Sequence, residues 1–390
     1  MDGEAGTDLS GAAVAMSHDG TVVAIGAHGN DAAGSNAGHV RVFALDGNNW
    51  VQRGSDIDGQ SGDFLGRAVA LNADGTNLVV GIPNGDSPSG SDSGAVRVFT
   101  WNGASWSQRG TEIVGVAVQD SFGWSVDVSD DGTVVAIGAH YNDQSGLNAG
   151  HVRVYAWFGG NWVQRGGDIN GEYTNDYSGY DVSCNAACSV VAVGAYGNDD
   201  GGSMAGHTRV YSYSTVLSSW VQRGADIDGS AVYGASGKAI ALNSDGNTLI
   251  IGAHASSSGT FSQNGMVSVY IWNSGSSAWT QKGADMFGDS ATAWFGAAVA
   301  VNSDGNSIVV GASLGKNENG VRTGQVKVYK WDVSSSAWVV NAQALYGDAG
   351  NDYFGGAVAL SSDGKTICVG AFGNDNTDTA SGSVKVFKLP

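Results

Sequence analysis

Positive charge is scarce in this sequence. Its 390 residues include 18 Lys and Arg against 37 Asp and Glu, for a formal net charge of −19. Because nucleic acids and anionic membranes are bound through clustered Lys and Arg, this balance argues against both partners. Most of the basic residues also recur in two registers of a repeat, which indicates a structural role. These are Arg41, Arg97, Arg153, Arg209, Lys327 and Lys385 in one register, and Arg53, Arg109, Arg165, Arg223 and Lys282 in the other.

Long apolar runs and helical periodicity are missing as well. No stretch approaches the roughly 18 apolar residues of a membrane span, and residues 1–11 lack the basic and apolar segments of an export signal. We therefore expect no membrane insertion. The sequence has 3 prolines against 62 glycines and no apolar period of 3.6 residues, which favours an all-β protein of short strands and tight turns.

Catalytic motifs are absent from the sequence too. It contains no G-x-S-x-G, no H-E-x-x-H and no phosphate-binding loop. The few pairs of acidic residues, which could otherwise suggest acid–base catalysis, are explained by the repeat. We therefore expect a protein that is not an enzyme.

What the sequence does contain is a unit of 55 to 59 residues present in seven copies, of which residues 120–171 are the clearest. Four segments of each copy have the sequence pattern of a β-strand. Residues 66–71, 77–81, 152–155 and 162–169 are examples of the first, second, third and fourth segments. A four-stranded sheet cannot cover both of its faces alone, so the copies must stack around an axis. This predicts a seven-bladed β-propeller of four-stranded antiparallel blades, a single domain over residues 1–390.

The two ends of the sequence bear on how the ring closes. The seventh copy stops at Pro390, just after its third strand, and residues 1–3 align with residues 57–59, the tail of a fourth strand. We interpret both ends as cut from a longer chain. The alternative is a three-stranded last blade that closes without a strand from the other terminus.

The unit F-G-x-(S/A)-V, then V-G-A, then G-x-V-x-V-(F/Y), resembles the FG-GAP repeat of integrin α-subunit propellers. Residues 122–126, 295–299 and 354–358 carry the naming motif, and the resemblance covers essentially the whole chain. It also extends to large secreted or surface proteins of microbes, which implies an extracellular or cell-surface location and a role in adhesion. Integrin-type blades often hold calcium in a D-x-D-x-D-G loop, but turns such as residues 17–20 are too short to wrap calcium. We therefore expect no cofactor.

One column of the repeat varies between copies while its neighbours barely change. It follows the Gly of F-G, near the axis, and reads Ala12, Arg67, Trp124, Tyr180, Lys238, Ala297 and Gly356. Concave propeller mouths collect ligands, so we predict a ligand site at the channel mouth. The alternative to a ligand site is that these aromatic residues only fill space between blades. The predicted lining residues are Arg67, Trp124, Tyr180 and Lys238, with Phe64, Tyr177, Trp294 and Tyr353 two residues before the Gly.

Two further groups of residues allow both a metal-binding and a structural interpretation. An Asp column precedes the innermost strand and could ring the mouth with cation ligands, or could form turns; it comprises Asp8, Asp63, Asp120, Asp176 and Asp352. The pairs His28 with His39 and His140 with His151 frame Asn-Asp loops. Their spacing fits no standard metal motif, and the Asn and Asp side chains are suited to capping the backbone.

Cysteine is also rare, with three residues in the chain. Cys184 and Cys188 flank a three-residue turn, which brings their Cβ atoms near disulfide distance. A disulfide there would indicate an oxidising compartment. Cys368 lies in an apolar strand and is expected to be a buried thiol.

The leading functional hypothesis is a binding or adhesion propeller that recognises a protein or polysaccharide. Recognition is expected on the face that carries the loops between strands two and three and between strand four and the next strand one. The alternatives are a structural building block within a larger extracellular assembly, in which neighbouring domains are the partners, and a propeller hydrolase or lyase.

Overall fold

The computed structural model describes residues 1–389 and contains seven antiparallel sheets arranged as the blades of a propeller, with no helices. The first three blades contain β1 (Ala13–Met16), β2 (Val22–Ala27), β3 (His39–Asp46), β4 (Asn49–Gln52), β5 (Ile57–Asp58), β6 (Val69–Leu71), β7 (Asn77–Ile82), β8 (Ala95–Trp101), β9 (Trp106–Gln108), β10 (Ile113–Val114), β11 (Ser125–Val128), β12 (Val134–Ala139), β13 (His151–Phe158), β14 (Asn161–Gln164) and β15 (Ile169–Asn170). The other four contain β16 (Asp181–Cys184), β17 (Val190–Ala195), β18 (His207–Ser214), β19 (Ser219–Gln222), β20 (Ile227–Asp228), β21 (Ala239–Leu242), β22 (Thr248–Ala253), β23 (Met266–Asn273), β24 (Ala278–Gln281), β25 (Met286–Phe287), β26 (Phe295–Val301), β27 (Ser307–Ala312), β28 (Gln325–Asp332), β29 (Ala337–Val340), β30 (Leu345–Tyr346), β31 (Ala357–Leu360), β32 (Thr366–Ala371) and β33 (Ser383–Lys388).

The second strand of every blade forms the core of the propeller. Strands such as β2 and β12 read V-V-A-I-G-A and are buried at all six positions. A strand covered by neighbouring blades on both faces needs this continuous apolar pattern. Hydrophobic clusters accordingly join each blade to the next, as when Val40 and Ile57 of blade one pack with Leu78 and Val80 of blade two.

Two glycines meet at each junction between blades near the axis. In the second junction, a Cβ added to Gly81 of β7 would lie 2.0 Å from the carbonyl oxygen of Gly123, the Gly of F-G in the next blade. Gly123 itself has φ +91, a conformation that favours glycine. The F-G and G-A parts of the motif are therefore two halves of one close backbone contact.

The outer strand of a blade is two short strands rather than the continuous strand predicted from residues 162–169. In blade three, β14 and β15 both pair with β13, and the chain bends between them at residues 165–168. The predicted segment contains Gly166 with φ +80, which an extended strand cannot include.

The bend places one basic side chain against the next blade. Arg109 donates from Nη1 to the carbonyl oxygen of Gly132 (2.7 Å), and its guanidinium lies 4.7 Å from the Trp157 ring centre. In return, the Trp162 indole donates to the carbonyl oxygen of Arg109 (2.8 Å). Equivalent pairs involve Arg53, Arg165, Arg223 and Lys282. This register of basic residues therefore has a structural role, as predicted.

The ring closes between blade seven and residues 1–3. The last blade has three strands, β31, β32 and β33. Met1 and Val384 exchange backbone hydrogen bonds of 2.9 and 2.8 Å, and Asp2 lies opposite Ser383. Residues 1–2 thus occupy the register that Ile57 and Asp58 hold in blade one. The alignment of residues 1–3 with residues 57–59 is confirmed. The last blade is three-stranded, as the alternative expected, but the other terminus takes part in closure because residues 1–2 pair with β33.

None of the described residues forms a helix long and apolar enough to cross a membrane.

Candidate functional site

A cavity of about 560 Å³ opens at one end of the central channel. Its wall is formed where the innermost strands begin, because the turn at each F-G glycine aims the following side chain inward. The cavity is bordered by Arg67, Trp124, Tyr180, Lys238 and Trp294 of blades two to six. In blades one, six and seven the residue after the F-G glycine is small, namely Ala12, Ala297 and Gly356, so the large side chains of this column lie in blades two to five.

Arg67, Trp124 and Tyr180 form one continuous group on that wall. The Arg67 guanidinium carbon lies 4.1 Å from the Trp124 ring centre, within the range of a cation–π contact. Trp124 also contacts Tyr180, with ring centres 5.6 Å apart, and His140 at 4.4 Å. The rings hold the guanidinium in place, because it has little room to change its rotamer.

Lys238 and His254 form the second polar group of the cavity. Lys238 Nζ lies 3.5 Å from His254 Nε2, and His254 packs edge-to-face on Trp294 with ring centres 5.4 Å apart. Burial lowers the pKa of His254 to about 3, and that of His140 likewise to about 3. Both imidazoles are therefore neutral at pH 7, and the positive charge of the mouth comes from Arg67 and Lys238.

Three of the eight predicted mouth residues stand behind the wall instead of on it. Tyr177 stacks on Tyr196, with ring centres 5.0 Å apart. Tyr353 stacks on Phe372 at 4.8 Å, and Phe64 lies 6.1 Å from His28. This column has positive φ in all seven copies, so φ alone does not decide which side chains reach the cavity; its members are Leu9, Phe64, Ser121, Tyr177, Ala235, Trp294 and Tyr353. Of the four aromatic residues in it, Trp294 alone borders the cavity.

The two cations of the mouth have no carboxylate within 4.0 Å in the described part of the chain, although the negative charge of Asp181, which lines the same cavity, acts on Arg67. Among residues 1–389, the ion pairs within 4.0 Å include neither Arg67 nor Lys238. By contrast, Arg41, Arg153 and Arg209 each have an acidic partner. Half-buried cations are costly for a free protein unless an anion compensates them. Burial raises the pKa of Asp181 to about 7, so this carboxyl compensates Arg67 only in part at pH 7. The mouth can therefore accept an anionic group.

Two carboxylates on the innermost strands were not predicted from the sequence, and one of them, Asp181, borders the same cavity. Asp127 and Asp181 stand on β11 and β16 in columns where most copies have Ala. Asp127 accepts backbone N–H groups from Val128 and from Cys184 of the next blade, and Asp181 does the same with Val182 and Ile240. Each Asp therefore links two innermost strands at their unpaired edges. The replacement of Ala by Asp in these two columns was the feature of the sequence that could have identified both residues.

Burial raises the pKa of Asp127 to about 6 and that of Asp181 to about 7. An unfolded Asp ionises near 3.8, so the folded protein holds extra protons between about pH 4 and pH 7. The free energy of unfolding then falls as pH rises through this window. We expect the melting temperature of the Asp127→Asn/Asp181→Asn variant to fall less between pH 5 and pH 8 than that of the wild type. Parallel curves for the two proteins would contradict this expectation, since all other titrating groups are shared.

The Asp column does not ring the channel. All five side chains are buried in the loops that enter the innermost strands, and each accepts the backbone N–H of a residue three positions earlier; they are Asp8, Asp63, Asp120, Asp176 and Asp352. In blade three, Asn142 also donates to Asp120 at 2.9 Å. The structure therefore places these residues as turn formers and not as cation ligands at the mouth.

The Asn-Asp loops also serve the backbone. Asn30 and Asp31 accept the backbone N–H groups of Ala32 and Asn36, and Asn142 and Asp143 repeat this pattern in blade three. His28 follows β2 near the mouth, whereas His39 begins β3 and is buried. The paired histidines of one copy thus belong to different environments.

Cys184 and Cys188 are bonded to each other, with Cα atoms 4.9 Å apart, across the turn between β16 and β17. Cys188 has φ +44 and takes the place of the turn glycine. Cys368 is a free and fully buried thiol whose pKa is raised by burial.

Loops around the mouth carry apolar side chains into solvent. Leu147 and Tyr173 are 59% and 61% exposed on adjoining loops of blades three and four. Val232 and Tyr233, 58% and 62% exposed, lie before blade five and beside the Met204 loop of blade four, where the backbone N–H of Tyr233 donates to the Ser203 carbonyl oxygen. Exposed apolar side chains also occur at the turns between third and fourth strands, such as Phe158, Val216 and Val333, so they do not by themselves single out the mouth as a recognition surface.

Comparison with known proteins places the chain by its fold. The FG-GAP repeat model matches residues 52–99, 115–155 and 346–387, so the chain carries FG-GAP repeats in three places within a seven-bladed propeller. No curated protein matches it. A solved structure from Bacteroides uniformis, provisionally named a 6-phosphogluconolactonase, is similar with a TM-score of 0.58 and 14% identity, covering 87% of this chain and 86% of that one. At this identity the likeness concerns the fold alone.

Proposed function

We propose that this propeller is a non-enzymatic binding module of a secreted or cell-surface protein, and that it recognises an acidic polysaccharide at the channel mouth. The observation that carries the proposal is the combination of two cations that have no ion pair within 4.0 Å among the described residues, Arg67 and Lys238, with the aromatic wall of Trp124 and Tyr180. A carboxylate or sulfate would pair with the cations. The C–H face of the sugar would lie on the electron-rich ring faces.

Size and charge favour one acidic sugar at the mouth over a long polyanion. The cavity of about 560 Å³ lies within the usual range for small-ligand sites. The rest of the molecule is strongly acidic, so an extended polyanion would be repelled outside the mouth. The exposed loop residues, such as Tyr173 and Tyr233, offer contacts to neighbouring neutral sugars.

The Cys184–Cys188 disulfide supports an extracellular location, because disulfides persist in oxidising compartments. The channel carboxylates do not favour a hydrolase. Asp127 and Asp181 each have both oxygens engaged by backbone N–H groups of the scaffold.

The test begins with a glycan array in the presence of a chelator, followed by calorimetry on the best acidic ligand. Arg67→Gln/Lys238→Gln is expected to weaken binding at least 10-fold, since each charge-assisted hydrogen bond contributes about 1.5–3 kcal/mol. Binding of the wild type should also weaken with salt and with esterification of the ligand carboxylate.

Lys316→Gln/Arg322→Gln is the matched control, because it removes the same charge from exposed residues of a loop on the same face. An equal loss of binding in both variants would show that the effect comes from net charge alone and not from the mouth. Unaltered binding in Arg67→Gln/Lys238→Gln would place the site elsewhere, and an array without any ligand for the folded protein would favour the structural building block.

A further inference from the structure

A second group of side chains lies away from the channel, in blade four. Glu172, Asp200, His207 and Asp226 each place one ligand atom within 4.8 Å of all the others. They come from distant parts of the sequence: the loop before β16, the loop between β17 and β18, the start of β18, and the bend between β19 and β20. The fold therefore assembles a cluster that no local spacing in the sequence reveals.

His207 is the buried member of the cluster and has no hydrogen-bond partner. Its side chain is 1% exposed, and neither ring nitrogen has a partner within residues 1–389. Nδ1 faces Asp226 Oδ2 and Asp228 Oδ1, each at 4.0 Å. This distance is too long for a hydrogen bond, but two ligands at roughly 2 Å from one metal ion are separated by roughly 3–4 Å.

The acidic members have oxygens available for a metal ion. Asp226 uses Oδ1 to accept from Gln222, which leaves Oδ2 toward the histidine. Glu172 uses Oε1 for Arg209, at 3.1 Å, and keeps its other oxygen. Neither ring nitrogen of His207 is engaged in a hydrogen bond with the described residues, so the imidazole is free to bind a metal ion beside these carboxylates.

Other blades show that this cluster is not a by-product of the repeat. His151 is the equivalent residue of blade three, is equally buried and also has no partner. However, Val116 and Gln144 stand there in place of Glu172 and Asp200. Asp168, the equivalent of Asp226, is held by two bonds from Arg153. Blade one has three of the four groups, as Glu4, His39 and Asp56.

We propose that Glu172, Asp200, His207 and Asp226 form a binding site for a divalent transition metal ion of the zinc type. Imidazole nitrogen with carboxylate oxygens suits zinc, whereas calcium takes six to eight oxygen ligands. The ion would join two loops to the outer strand of blade four. Its role is structural and is independent of the channel mouth.

The experiment is a zinc titration of the full chain after removal of metal with a chelator, followed by calorimetry and by melting temperature. We expect the wild type to bind one zinc ion tightly and to gain about 3 °C at a free zinc concentration near 100 times Kd. His207→Gln should weaken this binding at least 10-fold and abolish the gain. Asp226→Asn should weaken it as well. The three-ligand cluster of blade one is expected to bind more weakly, and His39→Gln should remove only that weaker phase.

His151→Gln is the matched control, because it removes an equally buried histidine from a blade that lacks the acidic ligands. It should leave the zinc isotherm unchanged. The proposal is overturned if the wild type shows no saturable zinc binding, if His207→Gln binds zinc as the wild type does, or if His151→Gln loses as much. Calcium that binds as tightly as zinc would refute the choice of metal. Circular dichroism of each variant without metal shows whether it has folded.

Discussion

Gly138→Ala is expected to lower the free energy of unfolding by about 3 kcal/mol, and the melting temperature by about 4 °C. A Cβ at this position of β12 would lie 2.1 Å from the carbonyl oxygen of Gly179 and 2.3 Å from Ser125 Oγ. The obstacle at Gly179 is backbone of the next blade, which a rotamer change cannot move. The strain must be relieved by separating blades three and four at the axis.

Gly167→Ala is the control for this prediction. Gly167 lies in the same blade, does not have positive φ, and would place its Cβ in open space. Its substitution should change the free energy of unfolding by no more than about 0.5 kcal/mol. Chemical denaturation of both variants measures the difference, and equal stability would show that the blades can move apart at little cost.

The contact between the G-A glycine of one blade and the F-G glycine of the next explains why the seven copies could be recognised from the sequence. The G-A glycine of each blade approaches the F-G glycine of the next within a distance that excludes any side chain, and Gly370 with Gly11 closes the ring in the same way. Such a contact fixes residue types at fixed spacing. The innermost and second strands, which make it, were therefore predicted well.

The outer strand was predicted less well, because its break depends on contacts between blades. The segment W-V-Q-R-G-x-D-I has an alternating pattern that is typical of one strand. Gly166 and the basic residue before it interrupt that strand, since Arg165 turns toward the next blade. A pattern within one blade cannot show this.

The candidate site was predicted in part for a similar reason. Divergence at Arg67, Trp124, Tyr180 and Lys238 identified the column that borders the cavity. The column two residues earlier was grouped with it, but Tyr177 stacks on Tyr196 instead of bordering the cavity. The cluster at His207 was missed because its four members belong to separate loops.

Arg109→Ala is expected to lower the free energy of unfolding by about 2 kcal/mol, as it removes the contact between the outer parts of blades two and three. The side chain donates to the Gly132 carbonyl oxygen and to Asn77 Oδ1 (3.0 Å), and it lies over Trp157. The lost charge-assisted hydrogen bonds and cation–π contact account for this magnitude at a half-buried site.

Arg109→Lys keeps the positive charge but removes the planar guanidinium, so it tests which of the two holds the junction. In blade five a lysine already occupies the equivalent position. At the junction of blades five and six, Lys282 donates to the Gly305 carbonyl oxygen at 3.0 Å and lies 5.1 Å from the Trp331 and Trp338 ring centres. Arg109→Lys should therefore retain most of the stability that Arg109→Ala loses, when both are measured by urea denaturation. If lysine is as damaging as alanine, the planar guanidinium and not the charge holds this junction. Lys282 would then have to be supported by contacts that blade three lacks.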